Sequence, residues 1–552
     1  MKARLLALAF VLAAPSVGAQ PPAYQPGIDV VDYTIAIDLP DTGAFIRGDV
    51  IVALRRSRNV DRLVLDLVDA LAVQSVEVDG RTVNAPHSAN KINIPLEGTG
   101  DNVRVRVRYE GVVSDGLIAR KDAKGRWTWF GDNWPNRTRQ WLPTVDHPSD
   151  KATVTWLVRT PLGRRVIANG LEVSTRPIAG PTRMVESRWR ESRPIPTYLM
   201  VIGVGPLETF NLRETVCHFT DEGPCARQTV WAMPENKAWL PGVFTTAGPI
   251  VSLFEKLVGP FPYEKLAHVQ SSTRFGGMEN ASEIFYDGKL FETQRMSDGL
   301  IAHETAHQWF GDAVTEREWG HVWLSEGFAT YFAALWTRAY KGDSAFRAQM
   351  NEIRKQVIAA KVVAERPVID TAQTDLFALL NTNSYQKGGY ILYMLHERMG
   401  DSAFFAGIQS YYEKYRNGNA LTDDLRVELE MSSQLSLKTF FDQWLRRPGF
   451  AEPTVGWAYD AEEGKVSVRV LQQDERCTLL ATSVICEGNK VVPYELQVPV
   501  VVTDASGKTE RVVITVPADQ RTTMPLPGRY PSRPRSVAID PGDRLLARTT
   551  RL

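Results

Sequence analysis

Residues 301–312 read IAHETAHQWFGD, and this stretch decides how the rest of the chain is interpreted. His303 and His307 stand four residues apart, and Glu304 directly follows the first of them. On a helix of about 3.6 residues per turn, both imidazoles lie on one face and can bind the same zinc ion. Glu304 is rotated away from that face, which suits a base acting on water. The chain has only 8 histidines, so a chance match to this motif is rare.

A catalytic zinc needs a third protein ligand and an open coordination position. Glu326 lies in VWLSEGFATYF, where a second helix is predicted to begin, among Trp323, Leu324 and Phe328. A carboxylate in such apolar surroundings is costly to bury unless it meets a cation or hydrogen-bond donors. The alternative is an ordinary glutamate stabilised by the dipole at a helix N-terminus. We predict that one Zn²⁺ ion is bound by His303, His307 and Glu326.

The three predicted ligands, in this order and spacing, resemble those of the gluzincin aminopeptidases, the family of aminopeptidase N and the leukotriene hydrolases. Four further stretches agree with that family: RQWLPTVDHPSDKA at 139–152, RFGGMENAS at 274–282, SYQKGGYIL at 384–392 and FFDQWLRRPGF at 440–450. The similarity runs over nearly the whole mature chain, and the zinc motif combined with GGMEN is highly specific. The chain resembles the short, three-domain, bacterial-type members, which lack the large helical domain that caps the active site in longer relatives.

The resemblance implies a zinc aminopeptidase with two catalytic side chains, Glu304 and Tyr385. Glu304 is expected to act as general base on a zinc-activated water and then as general acid towards the leaving amine. Tyr385, in SYQKGGY, is expected to donate its hydroxyl to the oxyanion. From the residues alone, Tyr385 reads as a packed aromatic side chain of a helix.

The GGMEN segment is expected to decide which peptide bond is cut. Its glycines permit close approach of an extended substrate, and a carboxylate beside the scissile bond favours an ammonium group, which only the first residue of a peptide carries. Read by itself, the segment is a Gly-Gly turn followed by surface residues. The family uses it to bind the α-amine, which implies substrate-binding roles for Gly276, Gly277, Met278, Glu279 and Asn280. The predicted partners are therefore peptides with a free N-terminus.

Two positions depart from the family pattern. Trp134, in FGDNWPNR, stands where many members have a Gln or Glu as a second amine contact, and Asp132 or Asn133 are candidates to replace it. Phe377 stands where the leukotriene hydrolases have an aspartate needed for epoxide chemistry. Two rival hypotheses follow: a catalytically inactive binding scaffold on the same fold, and an epoxide hydrolase with residual peptidase activity. The full set of ligands and the base argue against the scaffold.

Hydrophobic periodicity divides the chain into three parts. VDYTIAID from Val31 and VRVRVRYEG from Val103 alternate as strands do, residues 211–446 show helical three-to-four spacing, and the chain alternates again beyond residue 450. In YELQVPVVVTDASGKTERVVITV, two strands are predicted to be joined by DASGK. We predict a multidomain α+β protein. Its domains are an N-terminal antiparallel β domain over 20–210, a thermolysin-like, mainly helical catalytic domain over 211–446 and a C-terminal β-sandwich over 447–552.

The first residues predict export. Lys2 and Arg4 precede an apolar stretch from Leu5 to Ala14, and small residues at Val17 and Ala19 suit cleavage before Gln20, so residues 1–19 are predicted to be a signal peptide. The protein is expected to be periplasmic or secreted, with no stable membrane anchor. Lys+Arg and Asp+Glu balance at 64 each, which excludes the basic surface typical of nucleic-acid binding. The sequence carries no signal for an oligomeric state.

The 4 cysteines form two local pairs, Cys217 with Cys225 and Cys477 with Cys486. An even number, short spacing and an export signal favour two disulfides over zinc ligands. The alternative is a set of buried free thiols, which would suit a reducing compartment.

Overall fold

The N-terminal part of the chain is built almost entirely from strands. This computed structural model describes residues 24–180, 183–212, 226–472, 477–480, 483–486 and 492–551. The strands of this part are β1 (Ile28–Asp38), β2 (Phe45–Arg56), β3 (Arg62–Asp66), β4 (Ala72–Val78), β5 (Arg81–Thr82), β6 (His87–Ser88), β7 (Lys91–Pro95), β8 (Asn102–Val112), β9 (Leu117–Lys121), β10 (Trp127–Gly131), β11 (Lys151–Pro161), β12 (Arg165–Ala168), β13 (Leu171–Ile178), β14 (Met184–Pro196) and β15 (Ile202–Gly205).

A large sheet and two smaller ones share one core. The large sheet has the order β13-β14-β11-β1-β2-β8-β4-β5, and the smaller ones have the orders β12-β15-β10-β9 and β3-β7-β6. In β8, Val103, Val105 and Val107 are buried while the arginines between them reach solvent, which confirms the predicted alternation. One pair of neighbouring strands in the large sheet, β1 and β11, is parallel and not antiparallel. The chain between them forms other strands before β11 enters the sheet in the direction of β1.

The central part carries all the described α-helices, packed against a mixed sheet. The helices are α1 (Leu240–Val243), α2 (Ala247–Val258), α3 (Gly288–Glu292), α4 (Asp298–His307), α5 (Trp323–Lys341), α6 (Asp343–Ala359), α7 (Lys361–Glu365), α8 (Gly388–Met399), α9 (Asp401–Tyr415), α10 (Thr422–Ser433) and α11 (Lys438–Leu445). The strands are β16 (Glu208–Asn211), β17 (Arg227–Ala232), β18 (Lys265–Ser271), β19 (Gly277–Met278), β20 (Glu283–Asp287), β21 (Val314–Glu316) and β22 (Gly418–Ala420). Five of them form the sheet β16-β17-β18-β20-β19, so β19 lies at its edge.

Two helices of this part, α4 and α5, pack against each other and position the predicted zinc ligands. The Ser297 side chain caps α4 by accepting a hydrogen bond from the Leu300 N–H at 3.2 Å. The chain leaves α5 at Gly342, whose φ of 85° favours glycine. Phe310, after α4, stacks on Phe328 of α5 with ring centroids 4.2 Å apart. This aromatic packing fixes the two helices relative to each other.

The C-terminal part forms two small sheets and a hairpin. Its strands are β23 (Thr454–Asp460), β24 (Lys465–Leu471), β25 (Cys477–Leu480), β26 (Ser483–Cys486), β27 (Leu496–Thr503), β28 (Thr509–Val516), β29 (Arg521–Pro525), β30 (Ser536–Ile539) and β31 (Thr550–Arg551). The sheets have the orders β29-β24-β23-β31 and β28-β27-β30. Residues 504–508, DASGK, join β27 to β28 as predicted.

The two C-terminal sheets share a buried core that continues into the helical part. Every second residue of β24 and β27 is buried there, for example Val466, Val468, Val498 and Val500. The architecture therefore confirms the predicted α+β class. The domain limits stay predictions, and β16 spans the limit placed at residue 210.

The structure describes only some of the residues that form the predicted signal peptide and the two predicted disulfides. Residues 1–19, Cys217 and Cys225 lie outside the described residues. The register of β25 and β26 places Cys477 directly opposite Cys486, and the disulfide between them stays a prediction. In the ranges that the structure describes, no helix is long and apolar enough to cross a membrane.

Candidate active site

Three side chains from α4 and α5 converge on one point. His303 Nε2 lies 3.2 Å from His307 Nε2, and Glu326 Oε2 lies 3.3 Å and 3.4 Å from these two nitrogens. That carboxylate oxygen is buried and has no hydrogen-bond partner among the described residues. Two imidazole nitrogens and a carboxylate oxygen that face one another form a donor set typical of Zn²⁺. The residues present therefore fit one zinc ion.

His307, a predicted zinc ligand, is oriented by Ser325, which the sequence motif does not predict. His307 Nδ1 lies 2.9 Å from Ser325 Oγ and 3.2 Å from the Phe310 carbonyl oxygen. A proton on Nδ1 leaves the Nε2 lone pair free for a metal. Ser325 directly precedes Glu326, and its only sequence signal is that neighbouring position.

Glu304 and Gly277 are in close contact. A Cβ atom added at Gly277 would lie 2.2 Å from Glu304 Oε1, whereas one added at Gly276 would meet nothing within 4 Å. A side chain at position 277 would therefore displace the Glu304 side chain from its present position. The sequence assigns both glycines to substrate approach and does not predict this contact. Burial raises the pKa of Glu304 well above its usual value, with the Glu279 and Glu326 carboxylates adding to the rise and His307 opposing it.

Glu279 is held against the zinc-ligand helix by a glutamine. The Gln308 side chain donates to the Glu279 carbonyl oxygen at 2.7 Å and accepts from the Ser282 N–H at 2.9 Å. Burial raises the pKa of Glu279 to about 6; the neighbouring His307 opposes this rise and the Glu326 carboxylate adds to it. Gln308 follows His307 in sequence, but no local sequence pattern predicts its hydrogen bonds to the GGMEN segment and to Ser282.

Tyr385 lies beside the ligands, in an unusual backbone conformation. It belongs to a single turn of π-helix, Asn383–Lys387, which leads into α8. Its hydroxyl donates to Glu326 Oε1 at 2.8 Å, and its ring stacks near that of His303 with centroids 6.0 Å apart. Turns of π-helix occur frequently at functional sites, and they place a side chain where a regular α-helix would not.

These side chains surround a single cavity of about 440 Å³. Its described lining consists of Trp134, Phe275, Gly276, Gly277, Met278, Glu279, Gly299, Leu300, His303, Glu304, His307, Glu326, Leu380 and Tyr385. The cavity is lined by every predicted catalytic and zinc-binding residue and by four of the five predicted substrate-binding residues. The exception is Asn280, which is buried next to Glu279 but does not line the cavity.

Neither residue considered as a replacement for the second amine contact reaches the cavity. Asp132 is fully buried and pairs with Arg137 at 3.1 Å and with Arg274 at 3.2 Å. Asn133 donates to the Met200 carbonyl oxygen at 2.7 Å and accepts from the Trp141 indole at 2.8 Å. Trp134 is the residue of this segment that lines the cavity.

Two family profiles match the chain. The Peptidase M1 N-terminal domain matches residues 30–199, and the Peptidase family M1 domain matches residues 245–444, so together they cover about two thirds of the chain. The chain belongs to peptidase family M1. The predicted family is confirmed, and the three predicted zinc ligands, with Glu279, Glu304 and Tyr385, fall inside the second match.

Named relatives and solved structures agree with this assignment. Human glutamyl aminopeptidase is 29% identical over 343 residues, which cover 58% of this chain and 34% of the relative. Probable aminopeptidase 1 of Sulfurisphaera tokodaii is 25% identical over 425 residues, which cover 73% and 51%. The M1 zinc metallopeptidase of Deinococcus radiodurans is 25% identical, with a TM-score of 0.68 over 77% of this chain and 95% of that one. A mutant of the Deinococcus enzyme has been solved with a Tyr-Ser-Ala substrate bound.

The M1 chain spans about a third to a half of the length of these curated relatives. The Deinococcus structure, in contrast, is covered almost completely. The match to a zinc metallopeptidase agrees with the donor set formed by His303, His307 and Glu326.

Proposed function

We propose that this M1 family member is a zinc aminopeptidase that releases the first residue from peptides with a free N-terminus. The observation that carries the proposal is the convergence of a zinc donor set with Glu304 and Glu279 in one cavity. Zinc chemistry by itself would not distinguish the end of a peptide from its interior. Glu279 supplies that distinction.

His303, His307 and Glu326 would hold the zinc ion, which supplies Lewis acidity for activating water and polarising the scissile carbonyl. Glu304 is buried beside this centre and accepts the proton of the attacking water, then delivers it to the nitrogen of the leaving amine. Tyr385, whose hydroxyl already lies 2.8 Å from Glu326 Oε1, donates to the substrate oxygen as negative charge develops there. A donor of this kind contributes about 3–4 kcal/mol to the transition state.

Recognition of the N-terminus rests on the edge strand β19 and the glutamate that follows it. β19 (Gly277–Met278) is the last strand at its side of the sheet, so an extended peptide can add alongside it. Glu279 then offers a buried carboxylate to the substrate ammonium. An internal peptide bond has no ammonium at that position, so it leaves the buried carboxylate unpaired.

The proposal is tested with chromogenic aminoacyl p-nitroanilides, free or N-acetylated. We expect hydrolysis of the free substrates only, loss of activity with 1,10-phenanthroline and recovery on addition of zinc. The isomer 1,7-phenanthroline, which does not chelate, is the matched control and should leave activity intact. Activity that resists chelation, or equal turnover of free and acetylated substrates, would overturn the proposal. Purified protein without zinc and without activity would instead favour the binding scaffold.

No residue in the described lining of the cavity favours the epoxide hydrolase hypothesis. Phe377, at the position of the aspartate in the leukotriene hydrolases, packs on Trp134 with ring centroids 5.6 Å apart. The position therefore holds an aromatic ring rather than a carboxylate, and we do not propose epoxide hydrolysis.

We also propose that the protein is exported and carries two disulfides, Cys217–Cys225 and Cys477–Cys486. The basic and apolar segments of residues 1–19 support export, and the opposed backbone positions of Cys477 and Cys486 suit a cross-strand bridge. In a Gram-negative host, the periplasmic protein should begin at Gln20, and reduction should raise its intact mass by four hydrogen atoms. An uncleaved chain, or thiols that react with iodoacetamide before reduction, would contradict these proposals.

A further inference from the structure

We infer that Trp134 makes this enzyme selective for peptides whose first side chain is apolar. The inference rests on the proposed function and adds the substrate class. Trp134 belongs to a surface of the cavity, here called the apolar wall, that consists of Trp134, Phe275, Met278, Leu300 and Leu380.

Each polar side chain that lines the cavity already has a role in the proposed reaction. The described lining includes six: Glu279, His303, Glu304, His307, Glu326 and Tyr385. In the proposed reaction they hold the metal, move the proton, stabilise the oxyanion or bind the α-amine. The rest of the described lining is the apolar wall and glycines, so no lysine, arginine, serine, threonine, asparagine or glutamine side chain there remains to recognise a polar first side chain.

The balance of charge points in the same direction. An acidic first side chain would bring another carboxylate into a cavity that already contains three, with no arginine or lysine in its described lining. A neutral polar side chain would lose its hydrogen bonds to water against the apolar wall. Burying a polar group without a partner is costly, and burying an unpaired charge is more so, whereas an apolar side chain gains free energy from the same contact.

Trp134 is packed among three other aromatic rings. It is 2% exposed, and its ring makes edge-to-face contacts with Phe275 at 6.2 Å, Trp319 at 5.5 Å and Phe377 at 5.6 Å. Its polar neighbours Asp132 and Asn133 are engaged elsewhere. The N-terminal domain therefore presents an aromatic ring to the substrate where many family members present a Gln or Glu.

The test compares kcat/KM on p-nitroanilides of Leu, Met, Phe, Gln, Lys and Glu. We expect the unaltered enzyme to prefer the apolar substrates over Glu and Gln by at least about 100-fold. Trp134→Gln should narrow that ratio by about 10-fold or more, and Trp134→Phe, which keeps an aromatic wall, should preserve most of it. The matched control is Trp127→Gln, since Trp127 is a half-buried tryptophan of the same domain that does not line the cavity.

Two results would overturn the inference while leaving the proposed function intact. One is an unaltered enzyme that cleaves the Leu and Glu substrates at rates within about 3-fold of each other. The other is a folded, zinc-loaded Trp134→Gln variant that keeps the original ratio. If that variant does not fold, competitive inhibition of the unaltered enzyme by free leucine and free glutamate decides, because equal inhibition constants contradict an apolar wall. Failure to cleave any free-amine substrate would instead overturn the proposed function.

Discussion

Replacing Glu304 by glutamine should lower kcat by between about 10²-fold and 10⁴-fold, the range typical of a lost general base, while one zinc ion per chain is retained. The amide has the shape of the carboxylate, so it preserves the close contact with Gly277. It cannot accept the proton from water. The zinc donor set is formed by His303, His307 and Glu326, so metal content should not change.

The measurement combines kcat on a leucine substrate, zinc content by mass spectrometry and the melting temperature. Glu283→Gln is a matched control, because Glu283 is a fully buried glutamate of the neighbouring strand β20 that does not line the cavity. Burial raises the pKa of Glu283 to about 8, and the positive charge of Lys265 opposes this rise. Glutamine keeps the shape of this side chain, as it does at position 304. A Glu304→Gln enzyme that keeps more than a tenth of its activity, or loses its zinc, would contradict the assigned role.

The zinc ligands could be predicted because their spacing is a local property of a helix. His303 and His307 are one turn apart on α4 whatever surrounds them, and Glu326 was recognisable as a carboxylate in an apolar segment. The alternating strands could be predicted for the same reason. In β8, valine and arginine alternate in the sequence, and the valines are the buried residues. Each of these predictions depends on residues close together in the chain.

The central sheet was missed because its strands have no alternation. KLAHVQS in β18 is buried at every position, so both faces of the strand are covered and the period-two pattern disappears. The sequence therefore predicts only a mainly helical part over residues 211–446. This omission affected the site, because β19, which carries Gly277 and Met278, is the edge strand of that sheet.

Contacts between distant residues were beyond the reach of sequence patterns. The clamp of Gln308 on Glu279 joins residues 29 positions apart, and the pairing of Tyr385 with Glu326 joins residues 59 apart. Trp134 was recognised as a departure from the family, but its effect could be inferred only once Phe275, Trp319 and Phe377 were seen around it. Trp134 provides no carboxylate or amide for the substrate amine, and its packing against three rings makes it part of the apolar wall.

Replacing Glu279 by glutamine should lower kcat/KM on free-amine substrates by roughly 30-fold to 4000-fold, since about 1.4 kcal/mol corresponds to each factor of ten. Truncating one partner of a buried charge pair costs about 2–5 kcal/mol, and no second carboxylate from the N-terminal domain lines the described cavity to compensate. Because Glu279 is 6% exposed, water cannot substitute effectively for the lost partner.

The discriminating measurement for Glu279 is inhibition by free leucine and by 4-methylpentanoate, which lacks the amine. The unaltered enzyme should bind leucine more tightly, and Glu279→Gln should remove that preference while zinc content and melting temperature stay close to those of the Glu283→Gln control. A purely structural role would weaken both inhibitors together and lower the melting temperature. If leucine kept its advantage in the variant, another group would hold the α-amine, and the preference for the peptide terminus would have to originate elsewhere in the cavity.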